Sequence, residues 1–213
     1  MLEYFRHGLA TATCLALPGA AHHSTTGEWG GLWSERGRPA EGLAGVGTTA
    51  VGFERAEPYR RTAASRDPRA AFVFEGVGNE PIGDAGLHLG GAAGWEIDRA
   101  DVARGTPPHA LVLASSSGHS DTYSSIEPPD ISVPHDQGRD ELIHADMVLF
   151  ETPAGGAVFS VGSITWSACL SWGGYRNPVS TVTRNVLERF RTGAPIGNGT
   201  GRDRAAGQAG GER

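Results

Sequence analysis

The stretch Ala145–Trp166, ADMVLFETPAGGAVFSVGSITW, decides how the rest of this 213-residue chain is placed. Two apolar runs, Met147–Phe150 and Ala157–Val161, flank a Pro-Ala-Gly-Gly centre. Neither run has the polar alternation of a half-exposed strand, so both are expected to be buried on two faces. Thr152–Gly156 supplies what a hairpin connection needs, a proline that presets φ and glycines that accept positive φ. Gly162, Ser163 and Thr165 then bring small polar groups to the carboxyl end of the second strand, with Trp166 following. Ligands gather at such ends in open α/β sheets, which makes Ser163 and Trp166 candidate walls of a substrate site.

Working outward, Ala110–Ala114 (ALVLA) reads as a second buried strand that empties into the polar run SSSGHSD. Trp95–Ile97 is a third candidate, with Glu96 between two apolar residues, and Ala70–Phe74 (AAFVF) a fourth. Glu41–Phe53 reads as a strand and loop interrupted by glycines. Pro58–Arg69 is basic, bounded by prolines and expected on the surface, and glycines preclude a helix through most of 75–99. Beyond the hairpin, Val179, Val182, Val186, Leu187 and Phe190 recur at helical spacing behind an Asn177 cap and Pro178 at N1. The expected architecture is therefore α/β, a mostly buried sheet ending in a hairpin and a C-terminal amphipathic helix. Residues 1–21 lack a clear period, and 192–213 collapse to Gly, Ala, Arg and Asp, the composition of a disordered tail.

A net charge of −6 offers no basic face for nucleic acid. All 18 basic residues are arginine, so no lysine is on hand for catalysis. Cys14 and Cys169 have no zinc spacing and suggest no disulfide framework, which fits a reducing compartment. No stretch reaches the roughly 20 apolar residues of a membrane span. Leu9–Ala21 has the length of a signal-peptide core, but Glu3 and a lone Arg6 make a poor leader, so a cytoplasmic location is expected.

Two positions stand out as catalytic candidates. Glu96, set between Trp95 and Ile97, is a carboxylate that burial would turn into an acid, a base or a substrate orienter; pairing with Arg99 is the plain alternative. His119 and Asp121 lie two apart where a strand opens into a loop, so an extended backbone would present both to one ligand, Asp121 as a substrate contact. The plain alternative there is a turn capped by Asp121. His144 and Asp146 repeat that spacing, and His22 and His23 are adjacent, yet no metal-ligand run such as HExxH occurs. Ser163 and Cys169 lack the GxSxG-type elbow that exposes a nucleophile.

Seven colinear blocks carry a resemblance: STTGEWGGLWSERGRP (24–39), GVGTTAVGF (45–53), SRDPRAAFVFEGV (65–77), GGAAGWEIDRAD (90–101), GTPPHALVLASSSGHSD (105–121), the hairpin (145–166) and NPVSTVTRNVLERF (177–190). Over residues 22–191 the chain resembles the C-terminal part of the large (β) subunit of N,N-dimethylformamidase. The resemblance implies a domain like the class I glutamine amidotransferase fold and an amide-hydrolase lineage acting on small N-substituted formamides. It further implies an iron held by two tyrosines and a glutamate, which would activate a water for attack on the amide, and a small (α) subunit or a homo-oligomer as partner. The family's ligands lie upstream of the first block, and neither Glu3 nor Tyr4 matches them, so no metal ligand carries over to this chain. The expectation is a chain inactive alone, from a truncated or frameshifted reading frame or a degraded homologue. The rivals are an assembly module that docks a separately encoded catalytic half, and a cysteine amidotransferase using Cys169. Exposed edge strands and poor solubility are expected to accompany either of the first two.

Overall fold

The computed structural model describes residues 38–125, 142–193 and 196. The apolar run at 9–21 weighed as a leader, Cys14, His22–His23 and the proline-rich loop at 127–140 lie outside these residues, as does most of the tail. Of residues 192–213 only 192, 193 and 196 are described, and Ile196 is buried in the core.

An α/β fold of two sheets and several helices results, with every named strand paired antiparallel. In chain order the elements are α1 (Glu41–Ala44), β1 (Gly47–Val51), β2 (Tyr59–Arg61), β3 (Glu96–Arg99), β4 (Leu111–Ser116), β5 (Ser124–Ser125), β6 (Asp146–Glu151), β7 (Ala157–Ser160), α2 (Trp166–Cys169) and α3 (Pro178–Thr192). Short 3-10 helices fill Ala63–Arg66, Pro68–Phe74, Val102–Arg104 and Trp172–Gly174. One sheet has the order β2-β4-β6-β7 and the other β3-β1-β5.

The β6–β7 hairpin forms in the expected place, with Val148 opposite Ser160 and Glu151 opposite Ala157. Its connection closes through Thr152 N–H to Gly156 O at 2.8 Å and Gly155 N–H to Thr152 O at 2.9 Å, with Gly155 at φ 85°. The two strands differ in depth. β6 is central and buried from Asp146 to Phe150, whereas β7 is a half-buried edge strand, so only the first run meets the expectation of burial on both faces.

Two other expectations fail for local reasons. Ala70–Phe74 is a 3-10 helix and not a strand, because Asp67 accepts a hydrogen bond from Arg69 N–H at 2.9 Å and Pro68 fixes φ at N1. That cap outweighs the strand preference of Phe72 and Val73. The segment from Pro58 is not all surface, since Tyr59 is fully buried on β2. Its basic neighbours hid the alternation that places one aromatic inward and Arg60 outward.

Helix α3 is capped as the sequence dictates. Asn177 Oδ1 accepts from Ser180 N–H at 3.0 Å, and its Nδ2 donates to the carbonyls of Cys169, Leu170 and Trp172. Val179, Val182 and Val186 are buried, while Leu187 and Phe190 stay exposed at the edge of the apolar stripe. The helix packs on the 3-10 helix Pro68–Phe74, where Asn185 Nδ2 donates to Val73 O and Glu75 O. The core runs between them through Tyr59, Ile82, Ile97, Leu113, Met147, Leu149 and Trp166. No helix among the described residues is long and apolar enough to cross a membrane.

The two sheets meet at the end of β7. Ile97 bridges to Ser163, and Asp98 N–H donates to Gly162 O at 2.9 Å. Gly162 adopts φ 59°, and a Cβ there would sit 2.4 Å from Asp98 O and 2.7 Å from Asp146 O. Only glycine fits this crossing, where one chain turns between two backbones.

Candidate functional site

Beyond that crossing lies an open cleft of about 520 Å³. Its walls are β3, the end of β7, the 162–166 turn and the outer face of α3. Glu96, Ser163 and Trp166 all line it, so three of the five residues singled out from sequence come together. His119 and Asp121 are not among its lining residues.

Asp98 is the residue that sequence reasoning passed over. It is two positions from Glu96 on β3 and therefore shares its face, and both carboxylates line the cleft. The acid-Ile-acid pattern with a buried centre was the available signal. Thr48, across from Asp98 on β1, donates its hydroxyl to Glu96 Oε1 at 2.9 Å. Asp98 Oδ1 is buried without a hydrogen-bond partner among the described residues. Burial pushes Asp98 up to about 6, opposed more weakly by the nearby Thr48 hydroxyl dipole, and the nearby charges of Glu96 and Glu41 push the same way as burial. The carboxyl that burial raises on this strand is that of Asp98.

Ser163 is positioned rather than reactive. Its Oγ accepts from Gly94 N–H at 2.8 Å, donates to Gly94 O at 2.9 Å and lies 3.2 Å from Thr165 Oγ1, tying the turn to the entry of β3. Trp166 packs edge-on against Tyr59 with centroids 5.7 Å apart, and its Nε1–H donates to Thr183 Oγ1 at 3.1 Å. That bond fixes the indole as a rigid wall between the turn and α3.

His119 sits elsewhere, past the end of β4. Its Nε2 is 2.7 Å from Ser116 Oγ, and its ring lies 4.7 Å from that of Tyr123. Desolvation, with a smaller push from His144, lowers it to about 4, so the ring is neutral near pH 7. Ser116 is buried and also accepts from Ala145 N–H at 2.8 Å. Asp121 is exposed on the adjoining turn. His144 Nε2 lies 3.3 Å from Asp146 Oδ2, and that same oxygen accepts from Ala100 N–H, so the second His-x-Asp pair braces β6 against the exit of β3. Cys169 is buried and its thiol is pushed up to about 11 by burial, first, and by Asp84, which is the reverse of an activated nucleophile.

Two of the described tyrosines, the residue type that the resemblance implies for the iron, have their hydroxyls engaged by the backbone. Tyr59 donates its hydroxyl to Val161 O, and burial, then Asp98, raises its ionisation well above the usual range. Tyr123 accepts from Trp95 N–H and donates to Arg55 O, and burial raises it too. No group of three or more His, Cys, Asp or Glu able to hold a metal occurs among the described residues.

The profile of a family described as N,N-dimethylformamidase beta subunit-like, C-terminal, matches residues 10–180. The chain is 42% identical over 194 residues to the N,N-dimethylformamidase beta subunit of Paracoccus aminophilus, an alignment that covers 89% of this chain and 25% of that protein. To the N,N-dimethylformamidase beta subunit of Alcaligenes sp it is 41% identical over 189 residues, 87% of this chain and 25% of the other. It therefore spans about a quarter of the length of the relatives it matches. With four fifths of its residues inside one family profile, the chain belongs to the N,N-dimethylformamidase beta subunit-like C-terminal family.

Proposed function

We propose that this chain serves as the C-terminal domain of an amide hydrolase acting on small N-substituted formamides, and that it turns the Glu96–Asp98 cleft toward the substrate. The observation that carries this reading is the convergence of Glu96, Ser163 and Trp166 on one cleft in a member of this family. Asp98 near 6 is protonated in a sizeable fraction of molecules at mildly acid pH. In that form it offers an O–H to a carbonyl oxygen, while Glu96, steadied by Thr48, orients the amide against the Trp166 wall. The class I glutamine amidotransferase likeness is part of the same proposal; the two-sheet α/β architecture is compatible with it.

Hydrolysis in this reading draws on the rest of a large subunit and on a small subunit, in keeping with a chain that spans about a quarter of the length of the relatives it matches. The test is the hydrolysis of N,N-dimethylformamide by the purified chain, alone and after addition of the upstream three quarters of a related large subunit with its small subunit. No turnover alone and turnover on mixing, lowered at least tenfold by Glu96→Gln, is the expected result. Turnover by the chain alone with stoichiometric iron contradicts it.

A second reading, an assembly module without a catalytic side chain, is favoured by one observation. Ile164, Leu187 and Phe190 are 49%, 63% and 39% exposed, and all three rim the same cleft. Restoration of full turnover on mixing with Glu96→Gln would select it.

A further inference from the structure

A second cavity of about 520 Å³ lies on the other side of the sheet edge, between β2, the 3-10 helix Ala63–Arg66 and the 79–81 loop. Three arginines line it, Arg60, Arg61 and Arg66, together with Thr62, Ser65 and Asn79. One carboxylate, Glu80, shares the rim. This is an unusual concentration in a chain with 24 acidic residues against 18 basic ones.

Several arginines of this protein are compensated by acids. Arg69 pairs with Asp67 at 2.9 Å, Arg99 with Asp101 at 3.1 Å, Arg104 with Glu41 at 2.7 Å and Arg191 with Glu188 at 2.7 Å. Among the described residues no carboxylate lies within ion-pair distance of Arg60, Arg61 or Arg66. Glu80 is exposed and makes no such pair either.

Arg61 is held in place without being neutralised. Its Nη2 donates to Val77 O at 2.9 Å and Gly78 O at 2.8 Å, and its guanidinium lies 4.2 Å over the Phe74 ring. Its Nε is buried and has no hydrogen-bond partner among the described residues. Burial is also the one cause acting on its ionisation, which is lowered, whereas Arg69 is raised by its aspartate. The side chain is preorganised, and among the described residues its charge has no counter-ion. Thr62 and Ser65 add no donors, because their hydroxyls are already given to Val112 O and Thr62 O. That leaves the guanidiniums of Arg60 and Arg66, Nη1 of Arg61 and the Asn79 amide.

We propose that this cavity is an oxyanion site, in which a phosphate or carboxylate group is held by Arg60, Arg61, Arg66 and Asn79. Guanidinium forks match the paired oxygens of both groups, and hydrogen bonds between charged partners are the strong ones. The site stands apart from the Glu96–Asp98 cleft and does not depend on the amide-hydrolase reading.

Calorimetric titration of the purified chain with inorganic phosphate, acetate and succinate, at an ionic strength balanced with chloride, tests it. Saturable binding of at least one of the three is expected, and the tighter class identifies the source, a phosphorylated ligand or a carboxylic acid. Arg60 and Arg66 are exposed, so R60Q/R66Q is expected to keep the far-ultraviolet spectrum and to weaken binding at least about tenfold. E80Q, which removes the competing negative charge, is expected to tighten it. Binding that chloride matches at equal ionic strength, or that persists unchanged in R60Q/R66Q, overturns the proposal.

Discussion

Replacing Asp98 by asparagine removes a charge that the fold holds at a cost, and the size of that cost follows from the structure. A carboxyl raised from 3.8 to about 6 carries about 3 kcal/mol of differential interaction between its two protonation states. Its sign is fixed by linkage. The folded state binds this proton more tightly than the unfolded state, so the contribution is present in full below about pH 4 and is lost as pH rises through about 6. D98N is neutral throughout and loses nothing over that window. His119 works in the opposite direction, because its imidazole is lowered from 6.5 to about 4 and the unfolded chain takes up that proton first. Its contribution is present above about 6.5 and is lost as pH falls through about 4, again on the order of 3 kcal/mol. The two effects oppose each other between pH 4 and 6.5, so the wild-type profile is a poor readout and the difference between variant and wild type is the informative one. Urea denaturation at pH 4, 6 and 8 measures it. The stability of D98N minus that of wild type is expected to grow by about 3 kcal/mol from pH 4 to pH 8, whatever constant offset the amide introduces. A difference that stays flat across that range refutes the placement of a burdened carboxyl at the cleft.

Other expectations are more local. G162A combines a positive φ with a Cβ placed 2.4 Å from Asp98 O, and is expected to cost about 3 kcal/mol or more in chemical denaturation; a loss under 1 kcal/mol would mean the crossing of the sheets is slack. N177A removes an N-cap bond and three amide-to-carbonyl bonds, with an expected loss of about 2 to 3 kcal/mol. N177D keeps the cap but places a carboxylate against those carbonyls, so it is expected to be no more stable than N177A. Cys169, buried and pushed up to about 11, is expected to react with a thiol reagent at pH 7 only on unfolding; rapid labelling of the native chain would point to an accessible thiolate.

What the sequence made legible was whatever rested on strong local pattern. The hairpin announced itself because an apolar run on each side of Thr152–Gly156 has few other uses, and α3 because its cap, its proline and its valines agree. The failures came where one residue acts against its neighbours. Tyr59 is a core residue inside a basic segment, and Asp67 with Pro68 turns the apolar 70–74 into a 3-10 helix. The depth of β7 was misjudged because composition does not reveal which strand takes the sheet edge. Within the cleft, Glu96, Ser163 and Trp166 were found from their surroundings. Asp98 was not, since its weight comes first from burial, which depends on packing between segments far apart in sequence. His119 was seen as half of a pair with Asp121, but the fold gives its ring to Ser116 and Tyr123 and leaves Asp121 exposed.

The role proposed for this chain is to contribute a cleft to an amide hydrolase whose water-activating centre lies in other parts of the assembly. Formate release from N,N-dimethylformamide, measured for the purified chain with and without added iron and again with the remainder of a related enzyme supplied, tests it most directly. No release from the chain in either iron condition, and release on reconstitution, is the expected result. Sustained release by the chain alone with one iron per molecule would contradict it.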